Sequence, residues 1–520
     1  MAILGKLLQQ GIKVRKSIEQ ANTSPLDLQR EELFELLSKA RKTQFGKKYR
    51  FNMILQKLIN EGESKTFYKA FKEQLPVYNY NKIYNEWWYK TKAGDRDVCW
   101  PGTVKYFALS SGTSEASTKH IPITGEMIKA IRRTGIRQIL TLSDYDLSPE
   151  VFTKGILMLG GSTHLNYSGH YFEGDLSGIT AGQIPFWFQF FYKPGKKIAR
   201  FRDWNMKLDE ITINARKWDI GIIVGVPAWI QILMEKIIAY YNIKNIHEIW
   251  PNLEIYVHGG VSFDPYKKGF EKLLGKPLTY IETYLASEGF VAYQAQPNKK
   301  SMRLVLNNGI FFEFIPFNDK NFQSDGDMVE NPETLMIDEI EEGKEYALLL
   351  STCAGTWRYL IGDVIKFVSK AQSEIVITGR TKHYLSLCGE HLSVDNMNKA
   401  IELVADELNI SIKEFAVAGI PFDTLFAHKW YIGTDDVVSE ETLKELLDKT
   451  LMTLNDDYKV ERSAALKEVI VKILPANAFY KWMKLIGKEG GQNKFPRVLK
   501  KSQIEEWESF LKEFNQNNSK

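Results

Sequence analysis

Apolar positions near the start of the chain fall at helical spacing: Ile3, Leu7, Leu8, Ile12, Val14 and Ile18. That spacing predicts a helix packed on the body, since the stretch lacks the continuous apolar core of a signal peptide. Up to about residue 95 the pattern stays mostly helical, rich in Leu, Lys and Glu. From residue 104 it changes. "VKYFALSS" and "DIGIIVGVP" predict strands, and "EMIKAIRRTGIRQIL" and "AWIQILMEKIIAYYN" predict helices. "LEIYVHGG", "LTYIETYLAS", "GIFFEFIP" and "EYALLLST" are further strand candidates. Strands alternating with helices predict an α/β body, with hairpin-like strands in its second half. The apolar run "IPFWFQFFY" (184–192) reads as a buried helix, or as the lining of a pocket for an aromatic acid.

After "ITGRTKHY" the order becomes helix (394–408), strands "EFAVAGI" and "HKWYIGT", helix (439–454), strand "KEVIVKIL", helix. Ser439 is the natural N-cap of the second of these helices. This order predicts a compact α+β domain. The boundary falls in a polar, turn-like stretch near 378–384, dividing the chain into residues 1–380 and 381–520. Neither an internal repeat nor a stretch of 18 apolar residues occurs, so no bilayer-spanning segment is expected.

Charge excludes some partners. With 68 basic and 64 acidic residues the formal net charge is +4, and no basic block suggests a nucleic-acid groove. The three cysteines, Cys99, Cys353 and Cys388, lie far apart without metal-ligand spacing, as suits a reducing, cytoplasmic setting. The eight histidines include no H-E-x-x-H pair. "HLSVD" (391–395) matches a short acyltransferase signature, and "HGGV" (258–261) echoes an esterase oxyanion loop. Chance accounts for the first, and no G-x-S-x-G nucleophile accompanies the second.

One loop offers positive chemistry. "SSGTS" supplies hydroxyls at Ser110, Ser111, Thr113 and Ser114, Gly112 lets the backbone curl, and Lys119 adds a positive charge. Converging N–H and O–H donors suit phosphate oxygens. The spacing is not that of a Walker loop, and a polar turn between a strand and a helix fits the same residues.

Four later stretches follow that loop in a fixed order: "YLASEGF" (284–290), "WRYLIGDVIKF" (357–367), "ITGRTKHY" (377–384) and "GGQNKFPRVLK" (490–500). The order resembles the acyl-adenylating superfamily. With "WPNLEIYVHGGVSF" it is similar, more closely, to the Gretchen Hagen family of acyl acid–amido synthetases, over residues 30 to 505. The resemblance implies a large N-terminal domain of mixed sheets and helices and a small mobile α+β C-terminal domain. It implies ATP and Mg²⁺ as cofactors, a small carboxylic acid and an amino acid as substrates, and a monomer without nucleic-acid or membrane partners.

It also implies roles, residue by residue. Ser110, Ser111, Gly112 and Thr113 would hold the β- and γ-phosphates. Tyr284 would pack on adenine, with Ala286 and Ser287 along its edge. Glu288 would bind Mg²⁺ near the α-phosphate, and Asp363 would take the ribose hydroxyls. Arg380 would touch the nucleotide near the hinge, and Lys494 would swing in to stabilise charge at the α-phosphate. Without the resemblance, Glu288 reads as a surface carboxylate at a strand end, Asp363 as a turn residue, and Arg380 and Lys494 as solvated. Two positions depart from the plant pattern: Ala116 replaces a glycine, and "CGEH" places His391 where a lysine is expected. Two other functions share these motifs: a coenzyme A ligase using the same adenylate, and a nucleotide-binding protein without catalysis.

Overall fold

The computed structural model describes residues 24–518 apart from 61–65, 111–118, 262, 264–265, 298, 324–325, 382–383, 386, 391, 464, 487–494 and 500. The helix expected at the extreme N-terminus lies outside these residues. So do Ser111, Gly112, Thr113, Ala116, His391 and Lys494.

The described residues form two compact units, one of residues 24–110, 119–226 and 233–381 and the other of residues 227–232 and 382–518. The first opens on helices. Pro25–Ala40 starts at Ser24, whose hydroxyl accepts the Asp27 N–H, and buries Leu33, Leu36, Leu37 and Ala40 along one stripe. Two small antiparallel strands, β1 (Tyr106–Ser110) and β2 (Lys119–Ile123), precede the helix Gly125–Thr141. Thr124 caps that helix and donates its hydroxyl to the Cys353 carbonyl at 2.7 Å.

The large sheet is assembled from strands β3 (Gly155–Met158), β6 (Tyr192–Lys193), β7 (Ile220–Val224), β8 (Ile255–Gly259), β9 (Thr279–Ala286), β10 (Gly289–Tyr293) and β11 (Met302–Leu304). It continues through β12 (Ile310–Pro316), β13 (Glu345–Thr352), β14 (Thr356–Ser369) and β15 (Glu374–Arg380); β4 (Asn166–Tyr167) and β5 (Phe172–Gly174) join β1 instead. Its order is β12-β13-β14-β15-β11-β10-β9-β8-β7-β3-β6. From β6 to β9 all pairings are parallel, and from β9 to β12 all are antiparallel. The expected hairpin-like second half is thus present. The open edge of β12 is covered by Gln29, whose amide donates to the Leu306 and Ile310 carbonyls and accepts the Phe312 N–H.

A buried ion pair ties the N-terminal helices to this sheet. Arg358 and Glu313 are 4% and 1% exposed at their side chains, with Arg358 Nη2 2.9 Å from Glu313 Oε1. The guanidinium also donates to the carbonyls of Lys72 and Leu75 and to Thr334 Oγ1. Nearby, Phe45 stacks on Trp357 at 5.8 Å and Phe51 meets its edge at 4.7 Å.

The run 184–192 is not a buried helix. Only Phe186–Phe190 turns, as a short 3₁₀ helix, and Phe186 and Phe190 stand out in solvent. A single 3₁₀ turn has no wide face to bury.

The second unit has the expected order. Helix Val394–Leu408 carries a Ser393–Asn396 capping box, and helix Glu440–Leu454 is capped by Ser439, which accepts the Thr442 N–H at 3.0 Å. Its sheet pairs Ile412–Phe422 with Leu425–Thr434 in antiparallel and Leu466–Leu474 alongside in parallel. Trp482, Trp507, Phe479 and Phe495 form its aromatic core. Glu390 and His428, both fully buried, are joined at 2.8 Å, and the Glu390 carboxylate accepts the N–H groups of Leu387, Cys388 and Gly389.

Breaking the Arg358–Glu313 pair strands a buried carboxylate. Arg358→Ala is predicted to cost about 3–5 kcal/mol in denaturant unfolding, and the double change Arg358→Met with Glu313→Leu to recover most of it. A loss of under about 1 kcal/mol would contradict the assignment.

Candidate active site

Strand β9 is where the large sheet changes sense, and the turn after it sits at the C-terminal edge of the parallel half. Open α/β sheets present groups to ligands at such a place. Tyr284 and Ala286 end β9, and Ser287 and Glu288 make the turn. Gly289 follows at φ +150°, where a Cβ would stand 2.9 Å from Ile310 Cδ1. Its bare Cα lets the turn pack onto the core.

Glu288 is only 7% exposed, so the surface carboxylate suggested by the bare sequence is corrected: it is folded inward. Burial pushes its carboxyl up to about 7, against the pull of Lys119 and Arg380, while Asp363 adds to the rise. Near neutral pH this group sits close to its midpoint, so a cation brought beside it would ionise it.

Asp363 lies on β14 after Gly362, whose φ of +93° is left-handed. It faces Arg380 across the β14–β15 ladder. Arg380 Nε donates to one carboxylate oxygen of Asp363, and the Tyr284 hydroxyl donates to the other. Arg380 is thus a strand-end residue in an ion pair rather than a solvated linker arginine, and Asp363 is a strand residue rather than a turn one. Burial, then the Asp363 charge, hold the Tyr284 phenol far above its usual range, so it remains a donor.

Tyr284 and Asp363 meet although β10, β11 and β15 separate their strands in the sheet. Strand β11 pairs with β15 only at Glu374 and Ile375. Beyond these residues β15 has no strand partner on that side among the described residues, and the β14–β15 ribbon is free to coil. Its far end comes back to β9, bringing Asp363 and Arg380 to Glu288.

Ser110 ends β1 opposite Lys119 on β2, so the "SSGTS" loop joins two strands, not a strand and a helix. Lys119 Nζ lies 5.4 Å from the centre of the Tyr80 ring and acts electrostatically on Glu288. Ser110, Lys119, Glu288, Asp363 and Arg380 all belong to the first unit. Tyr80 and Tyr359 escaped the sequence reading. The Tyr80 hydroxyl accepts the His120 N–H, and the fully buried Tyr359 phenol is pushed up by burial and by Glu288. Only the position of Tyr359 within "WRYLIGD" hinted at it.

Among the described residues no group of three or more His, Cys, Asp or Glu could hold a metal by itself. A cation here must complete its shell with other oxygens. One or two carboxylates plus phosphates is the usual Mg²⁺ arrangement, and Glu288 with Asp363 nearby fits it.

Three models of one family match the chain: the GH3 N-terminal domain over residues 14–161, the central domain over 303–380 and the C-terminal domain over 395–503. The chain belongs to the GH3 family. It is accordingly an adenylate-forming amido synthetase, an AMP-forming acid–amino acid ligase that uses ATP. The indole-3-acetic acid-amido synthetase GH3.4 of Arabidopsis thaliana is 23% identical over 465 residues, 75% of this chain and 73% of that protein. The jasmonoyl-L-amino acid synthetase GH3.5 of Oryza sativa subsp. japonica is 29% identical over 178 residues, 31% of this chain and 29% of that one. Two solved structures share the fold. The GH3.15 acyl acid amido synthetase does so with TM-score 0.54 and 15% identity, covering 94% of this chain and 93% of its own. A 2-hydroxyisobutyryl-CoA ligase in complex with 2-HIB-AMP and CoA does so with TM-score 0.56 and 11% identity, covering 91% and 89%. Asp363 and Arg380 fall inside the GH3 central-domain match, whereas Tyr284 and Glu288 lie between matched domains.

The raised Glu288 pKa has a measurable consequence for this GH3 protein. A carboxyl whose pKa climbs from 4.5 to about 7 on folding destabilises the fold as pH rises through that window, by roughly 3 kcal/mol in all. Glu288→Gln is predicted to gain a few degrees of melting temperature over wild type as pH passes from about 5 to about 8. Parallel melting curves for the two proteins would contradict the burial argument.

Proposed function

We propose that this protein activates a small carboxylic acid at the cluster of Glu288, Asp363, Arg380 and Lys119, then passes the acyl group to an amino acid. The convergence of two carboxylates and two cations at the end of the parallel strands carries this reading. In the first half-reaction an acid oxygen attacks the α-phosphorus of ATP. The P–O bond to pyrophosphate breaks and its electron pair leaves with pyrophosphate. In the second, the amine nitrogen attacks the acyl carbon, the C–O bond to AMP breaks, and the nitrogen sheds a proton.

Neither displacement needs a covalent enzyme intermediate. Both need charge neutralised at phosphate and the ligands held in line. In this reading Ser110, Ser111, Gly112 and Thr113 cradle the β- and γ-phosphates, and Lys119 adds charge beside them. Tyr284 lies against adenine with Ala286 and Ser287. Asp363, oriented by Arg380 and the Tyr284 hydroxyl, keeps lone pairs for the ribose hydroxyls, because two donors do not saturate a carboxylate. Glu288 holds Mg²⁺, which supplies charge neutralisation at the phosphates when bound. Lys494, on residues 381–520, reaches the α-phosphate when that domain reorients. The enzyme is read as a cytoplasmic monomer. The three cysteines are buried thiols, and no described helix is long and apolar enough to cross a membrane.

ATP–pyrophosphate exchange across aromatic, fatty and amino carboxylic acids tests the reading. Exchange is expected to depend on one acid class and to fall about a hundredfold or more in Glu288→Ala and in Lys494→Ala. Asp363→Ala is expected mainly to raise the KM for ATP. Amide product from an amine, with no thioester from coenzyme A, would fix the acceptor. ATP binding without exchange for any acid would leave a binding protein and refute the proposal.

A further inference from the structure

The segment that failed to form a buried helix carries a different chemistry. Phe186 and Phe190 lie on a single 3₁₀ turn and are 84% and 79% exposed, the most exposed aromatics among the described residues. Lone exposed apolar residues need no explanation, but two large rings four positions apart on one rigid turn do. The ring of Phe191 packs against Phe190 edge-on at 5.3 Å and against Phe188 at 6.5 Å, and Lys193 Nζ donates to the Phe190 carbonyl at 3.1 Å. The turn is therefore braced, with Phe186 and Phe190 directed outward.

The chain that follows is basic. Between residues 186 and 202 stand Lys193, Lys196, Lys197, Arg200 and Arg202, with no acidic residue. Lys196, Lys197 and Arg200 are exposed, have no ion-pair partner among the described residues, and line one open depression with Phe201. The next acid, Asp203, is engaged in capping the helix Trp204–Asn214, accepting the Met206 N–H at 2.8 Å.

From this adjacency along the chain, with both groups exposed, we propose that residues 186–202 dock the protein on an anionic lipid bilayer, with Phe186 and Phe190 entering the interface and Lys196, Lys197 and Arg200 meeting the headgroups. Aromatic anchors beside unpaired cations match the two-part requirement of reversible surface binding: some buried apolar area plus attraction to anionic lipid. A second copy of the chain is a poorer occupant. A two-fold contact centred on the basic depression would bring like-charged Lys196, Lys197 and Arg200 of both copies together. Strand β6, within this segment, is separated from β9 in the sheet by β8, β7 and β3, and this inference does not depend on the catalytic reading. It does replace the expectation, made from sequence, that the protein has no membrane partner.

Co-sedimentation of the full-length protein with phosphatidylcholine vesicles, with and without phosphatidylglycerol, tests it. Binding is expected only with phosphatidylglycerol and is expected to weaken as salt rises. Phe186→Ser with Phe190→Ser, and separately Lys196→Glu with Lys197→Glu and Arg200→Glu, should each lower the partition about tenfold or more. Both variants should keep the wild-type melting temperature, which separates lost docking from lost folding. Absence of binding to phosphatidylglycerol vesicles, or binding that neither variant weakens, would overturn the proposal. So would a concentration-dependent dimer, abolished by the phenylalanine changes, in protein that ignores vesicles.

Discussion

The Asp363 carboxylate, held by Arg380 on one oxygen and by the Tyr284 hydroxyl on the other, is the contact on which the site's geometry rests. It closes a gap that sheet hydrogen bonding leaves open, because β9 and β14 are not neighbours in the ladder order. Strand β13 holds β14 on its other side, and the Asp363 contact fixes the side that faces β9, where β14 and β15 give Glu288 charged surroundings. The contact also couples the two halves of the sheet. The parallel half supplies Tyr284 and Glu288, and the antiparallel half supplies Asp363 and Arg380.

That arrangement stores an electrostatic tension. Glu288 is buried deeply enough that its charged form is disfavoured, and Asp363 makes it worse, yet Lys119 and Arg380 stand near enough to offset part of the penalty. A carboxyl poised in this way exchanges a proton for a bound cation at little cost near neutral pH. Fold stability is given up at the position where a charged ligand would restore it, as is common where a fold hosts chemistry. The Arg358–Glu313 pair, by contrast, is fully satisfied by backbone carbonyls and Thr334, and serves as an anchor for the helices that back the sheet.

Much of this was legible in the residues. Strand and helix periodicity placed the elements around β7, β8, β9, β12 and β13, and Ser439 was readable as a cap because its chemistry is local. The order of the motifs pointed to the GH3 family, although each motif alone was weak. What the sequence hid was long-range. The burial of Glu288 depends on a turn that packs onto the core at Gly289 and on a ribbon that folds back from residues 356–380, and no local pattern encodes either. Arg380 looked like a linker residue because its partner lies 17 positions away across a hairpin. The run 184–192 misled because apolar composition predicts burial only where a wide face forms, and a 3₁₀ turn has none. The positions of Ser111, Gly112, Thr113 and Lys494 fall outside the described residues, and their roles rest on the family pattern.

The central claim is that one carboxylate oxygen of the acid becomes part of an adenylate before the amide is made. Isotope transfer tests it most directly. The accepted acid would be labelled with ¹⁸O in its carboxyl group and incubated with ATP, the amino acid and purified protein, and the products resolved by mass spectrometry. Attack at the α-phosphorus predicts one labelled oxygen in AMP for each amide formed. Label appearing in inorganic phosphate, with ADP as the nucleotide product, would mean an acyl phosphate route and would contradict the account.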